Sequence, residues 1–186
     1  MEEEVKSGFD FKKYLPIIGI VLAVIILIII LVSVLGGGPK KAVKNYVGAI
    51  NKSNVSKTMK SMDLKGMYAW RQSSFKLKDF SDEDYDKFIE KYEDVDDSII
   101  EMAEESQEKA MEKVFDNMKD EYKSYKVKVD KIKSTKKLGK DLYLVKAKVS
   151  IVAKPEDEDE NEEIDSASIT DFIVYKNKVI STDLSF

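Results

Sequence analysis

Residues 122–151, YKSYKVKVDKIKSTKKLGKDLYLVKAKVSI, mark the place where the spacing of apolar side chains changes from about 3.6 residues to about 2. Tyr125, Val127 and Val129 alternate with lysines. Beyond the turn-like Leu138-Gly139-Lys140-Asp141, the residues Tyr143, Val145, Ala147, Val149 and Ile151 share one side of a longer strand. A third strand is expected over roughly Ser166–Tyr175, and Lys176-Asn177-Lys178 turns the chain into a fourth over Val179–Phe186. Four consecutive strands with short connections predict an antiparallel sheet whose inner face is covered by the helices that precede it, an α+β arrangement.

Upstream of this stretch the helical period dominates. Pro39 suits a first helical position, and Val43, Tyr46, Val47 and Ile50 follow on one face. Asn51-Lys52-Ser53 ends that helix, and Asn54 is placed to cap a second one with Val55, Met59 and Met62 on one side, running into Asp63-Leu64-Lys65-Gly66. The segment from Gly66 to Phe80, GMYAWRQSSFKLKDF, is the least periodic of the chain and is expected to be irregular. Ser81 then reads as an N-cap with Asp84 at the third helical position and Phe80 stapled onto Tyr85, and Tyr85, Phe88, Ile89 and Tyr92 form the buried face. A start at Asp96 or Asp97 opens the longest helix outside the N-terminal region. Its expected apolar stripe is Ile99, Ile100, Ala103, Ala110, Met111, Val114, Phe115 and Met118.

The domain hangs on a different kind of segment. Ile17 to Leu35, IIGIVLAVIILIIILVSVL, is nineteen uncharged residues. As a helix it rises about 28 Å, one bilayer core. It is too long and too uniformly apolar for a buried helix in a chain of 186 residues. A cleaved signal peptide has an apolar region of only about 7–15 residues, so an uncleaved anchor is the expectation. The expected organisation is therefore a cytoplasmic tail over 1–16, a transmembrane helix over 17–35, a Gly/Pro linker over 36–39 and one domain over 40–186. Lysines flank the span almost equally, but only sixteen residues precede it, which favours the N-terminus inside and the large domain outside the cell membrane. Fully extended, Gly36 to Pro39 reaches only about 14 Å, so the domain is expected to stay near the bilayer.

Composition removes whole classes of chemistry. The chain has neither cysteine nor histidine. There is thus no thiol nucleophile, disulfide, Ser-His-Asp triad, lipidated cysteine, or zinc site built on Cys or His. The formal charge of −4 argues against general nucleic-acid binding, while leaving room for local basic clusters. Glu156 to Asp165 belong to a dense acidic run that lacks the spaced pattern of a calcium loop, and a solvated hairpin is expected there. No cofactor and no metal are expected. Tyr68, Trp70, Phe75, Tyr143 and Phe172 are the candidate pocket or partner surface, with covering the core as the competing role for such aromatics.

The order of elements, together with the opening PKKAVKNYVGAINKSNVSKTM and the ending FIVYKNKVISTDLSF, resembles the NTF2-like (cystatin-like) superfamily, in particular membrane-anchored bacterial domains of the DUF4878 type. The resemblance covers about residues 39–186. It implies a curved four-stranded sheet around helices, often enclosing a conical pocket used for small ligands, dimer contacts or, rarely, proton transfer. An enzyme of that kind requires a carboxylate in an apolar cavity, for which Asp171 and Asp183 are the candidates, but nothing in their spacing singles them out. The resulting expectation is a non-catalytic, single-pass membrane protein that contacts the bilayer through Ile17 to Leu35 and binds a small molecule or protein near the outer face. The alternative is a structural subunit of an envelope or secretion assembly, for which an oligomer is the natural state.

Overall fold

The computed structural model describes residues 38–73, 75–155 and 164–183. The expected anchor Ile17–Leu35 and most of the acidic run lie outside the described residues. Among the described residues no helix is long and apolar enough to cross a membrane.

Helix α1 (Pro39–Ile50) begins with proline, whose fixed φ and missing N–H suit the first turn. One side of it, Ala42, Val43, Tyr46, Val47, Ala49 and Ile50, is buried. Asn51 pins its end to the sheet, because the side-chain oxygen accepts the N–H of Val127 at 2.8 Å. Helix α2 (Val55–Ser61) is capped as expected, Asn54 Oδ1 accepting the Lys57 N–H at 2.8 Å. At its exit, the N–H of Asp63 donates to the carbonyl of Val179 at 3.1 Å.

The first correction to the sequence reading falls here. Much of 66–80 is not irregular: helix α3 (Leu64–Ser73) occupies its first half, followed by a single 3-10 turn at Leu77–Asp79. Asp63 Oδ1 accepts the Gly66 N–H at 3.0 Å and starts the helix. The periodicity is hidden because α3 meets the sheet with a glycine. A Cβ at Gly66 would stand 2.5 Å from Ile180 Cγ2, so one of the helix's buried positions is a residue without a side chain.

Helix α4 (Asp82–Asp94) has the expected capping box between Ser81 and Asp84. Phe80 is stacked on Trp70, 5.7 Å between ring centroids, and it and Tyr85 border the same cluster. Helix α5 (Asp97–Glu121) starts at Asp96, whose carboxylate accepts the Ser98 N–H. Its expected stripe is only partly correct. Phe115 is buried and Ile100, Met111 and Met118 pack at the margin, whereas Ile99 is 37% and Val114 44% exposed and Ala110 also faces solvent. The eight residues span too wide an arc for a helix covered along one line.

The sheet runs in the order β1 (Tyr122–Gly139), β2 (Leu142–Pro155), β3 (Ile164–Tyr175), β4 (Lys178–Thr182), every neighbour antiparallel. Lys176 and Asn177, at φ 45° and 64°, make the two-residue turn between β3 and β4. Ile164 and Asp165, read from sequence as the end of the acidic loop, are already paired with Ala153 and Val152 of β2.

Period-2 alternation places two clusters on opposite faces of the sheet. Val145, Ala147, Val149, Phe172 and Val174 lie on one face beneath α1 and Phe115 of α5. On the other, Leu142, Leu144, Ile173 and Tyr175 meet Ala69 and Trp70 of α3 and Phe88 of α4. The helices thus cover one inner face, as expected, and also one end of the outer face, which was not.

Candidate functional site

The five aromatics named from sequence do not converge. Trp70 packs against Phe75, Phe80 and Phe88 at 5.0 to 5.8 Å between ring centroids, so Trp70 and Phe75 belong to the aromatic cluster on the outer face. Phe172 is fully buried on the inner face, where Tyr143 packs at the edge of the aliphatic cluster. Tyr68, 37% exposed, belongs to neither cluster. The sheet therefore separates them into two groups and one outlier.

Asp171 and Asp183 are likewise accounted for by local partners. The Lys146 ammonium donates to both carboxylate oxygens of Asp171, at 2.9 and 2.7 Å, across the β2–β3 pair. Asp183 Oδ1 accepts the backbone N–H of Asp171 at 2.7 Å, which extends the β3–β4 pairing beyond Thr182.

A different feature emerges from α1 and α2. Lys44 and Lys52 lie eight residues apart on α1 and its end, with Gly48 midway, so all three fall on one line of the helix. Lys57 and Lys60, one turn apart on α2, form the opposing wall. Asn45 and, from the β3–β4 turn, Asn177 add side-chain amides. Together they enclose a groove of about 530 Å³. Its floor is shallow in side chains: a Cβ at Gly48 would meet nothing within 4 Å. Among the described residues no carboxylate lines it.

Two further hollows have mixed charge. One of about 360 Å³ between α2, α3 and α5 combines Lys60, Lys65 and Lys178 with Asp63, Glu104 and Glu108. The other, about 520 Å³, lies on the uncovered half of the outer face between Lys126, Lys128, Lys148, Asp130 and Asp165. There the Lys128 ammonium, 3.2 Å away, holds the Asp130 carboxyl below its usual range, with Ser150 contributing a second hydrogen bond.

The signal for the first groove is present in the sequence but is lost in the average. Residues 39–62 hold six lysines and no acid, whereas residues 63–186 hold 31 acids against 22 basic residues. A net charge of −4 conceals that segregation. No known family model, curated protein or solved structure matches this chain.

Proposed function

We propose that this chain is a single-pass membrane protein displaying a non-catalytic, NTF2-like α+β domain just outside the cell membrane, where it binds a ligand or partner through the α1–α2 groove. The observation that carries the reading is the groove itself: four lysines facing one concavity, two from α1 and its end and two from α2, the first two elements after the short Gly36–Pro39 joint. The apolar span Ile17–Leu35 supplies the anchor by its length and hydropathy. Lysine and asparagine side chains at that place supply charge and hydrogen-bond donors, which is the equipment of recognition.

A second reading has its own support. Ile99, Met102 and Val114 on α5 are 37%, 73% and 44% exposed, which favours a protein contact along that helix and hence a subunit of an envelope assembly. Fractionation of cells broken without detergent tests the anchor, since recovery of the full chain in the soluble fraction would refute both readings. Protease shaving of intact cells then tests orientation, with cleavage of 39–186 expected. Crosslinking in the intact membrane separates the two: a defined oligomer joined through α5 favours the assembly role.

A further inference from the structure

We infer that the α1–α2 groove is a binding site for a phosphate group carrying two or more negative charges, and this rests on the binding reading above. Some lysines elsewhere in this protein are neutralised by a neighbouring carboxylate. Lys87, Lys109, Lys119, Lys128 and Lys146 each lie within 2.6 to 3.2 Å of a carboxylate, mostly one turn away on the same helix or across a strand pair. Among the described residues, no carboxylate lines the groove of Lys44, Lys52, Lys57 and Lys60, although the rest of the domain is rich in acids. Like charges gathered around one concavity repel, and a multiply charged anion placed among them removes that repulsion.

The neutral groups fit the same ligand. Asn45 and Asn177 present amide donors, and phosphate oxygens are acceptors only. Asn177 is held by a turn in which both central residues have positive φ, so its position is set by the backbone. The carbonyls closing α1 are not competitors for the lysines. Those of Val47, Ala49 and Ile50 already accept the N–H groups of Asn51, Lys52, Asn54 and Ser53. Lys60 also borders the neighbouring hollow that contains Glu104 and Glu108, so it forms the outer edge of the site.

The choice of lysine over arginine defines how the site reads its ligand. Ammonium groups on flexible stems act as point charges, without the planar fork that matches one oxyanion geometry. The groove therefore selects for charge and leaves the remainder of the ligand loosely specified. A phosphate on a lipid headgroup and a soluble phosphorylated molecule share the required chemistry, and the experiment distinguishes them.

The full chain is purified in non-ionic detergent, and the acetylation rate of each lysine is followed by mass spectrometry with and without inorganic pyrophosphate, ionic strength being held constant with sodium chloride. Pyrophosphate is expected to slow Lys44, Lys52 and Lys57 several-fold, Lys60 less, and Lys126 and Lys148 by under twofold. In a second arm the protein is reconstituted into phosphatidylcholine vesicles with or without phosphatidic acid, whose headgroup is a phosphomonoester able to carry two negative charges. Protection of the same lysines by phosphatidic acid alone supports the site and identifies a headgroup as the source, whereas protection by pyrophosphate alone supports it with a soluble source.

The variant K57E/K60E, altered at exposed positions of α2, is expected to weaken pyrophosphate binding about tenfold or more. K57R/K60R is expected to retain it, and K126E/K148E to leave it unchanged. Equal protection of Lys126 and Lys148, or no protection in either arm, overturns the inference. The pyrophosphate arm needs no membrane. A failure of the anchor reading therefore shows in fractionation and a failure of the site in footprinting.

Discussion

The inner and outer faces of the sheet are built from the same strands yet are closed in different ways. Along β2 the inner-facing Val145, Ala147, Val149 and Ala153 are buried, with Ile151 half-buried between the last two. The outer-facing row begins with buried Leu142 and Leu144 and then turns polar at Lys146 and Lys148, with Ser150, Val152 and Lys154 following. The change coincides with the limit of α3 and α4, beyond which the outer face meets solvent. One strand thus records on its two sides two different neighbours, because alternate side chains answer to different environments.

The comparison teaches that the outer cluster is a second core, and its strength is measurable. Phe172 on the inner face and Phe88 on the outer are both 0% exposed. Truncating either, as F172A or F88A, is expected to destabilise the domain by about 3–5 kcal/mol, read as a lowered urea midpoint. A cost near zero for F88A alone would reduce the outer cluster to a surface cover.

The next largest effect is expected where that cover meets the sheet. G66A places a methyl group 2.5 Å from Ile180 Cγ2, so α3 or β4 must shift, and a loss of about 1–3 kcal/mol follows. No measurable change in thermal unfolding would mean that α3 is not held against β4. Removing the first turn's cap of α4 acts more gently. S81A deletes the acceptor of the Asp84 N–H and is expected to cost about 1 kcal/mol in the same assay, without altering the inner face.

The smallest prediction is a pH dependence traced to one residue of the outer cluster. Burial, reinforced by the nearby Asp63 carboxylate, raises the Tyr92 phenol to about 12. The neutral form is favoured in the folded state, so this contribution is complete below the ordinary tyrosine pKa near 10.0 and is lost as pH rises through about 12. Stability is expected to fall over that window in the parent and to fall less in Y92F. Identical alkaline profiles would show that Tyr92 ionises as freely in the fold as outside it.

Much of the architecture was legible before any coordinates. Ser81 with Asp84, Asn54, Pro39 and the Lys176-Asn177 turn are local devices, satisfied by neighbours within a few residues, and each stands where the sequence places it. What escaped was non-local. Helix α3 was obscured because Gly66 owes its identity to Ile180, far away in the chain. The five candidate aromatics were read as one surface, but the sheet lies between Trp70 and Phe172. The lysine groove needed α1, α2 and the turn at Asn177 to be brought together, and a whole-chain charge hides the acid-free stretch that builds it.

By itself the sequence determined the elements other than α3, their order and the caps of α2 and α4, since these depend on periodicity and on hydrogen bonds made within one or two turns. Only the tertiary structure decided that the sheet has two cores, which part of its outer face stays open, and which lysines share a concavity. Those outcomes depend on residues distant in the chain occupying the same space, and one-dimensional spacing carries no such information.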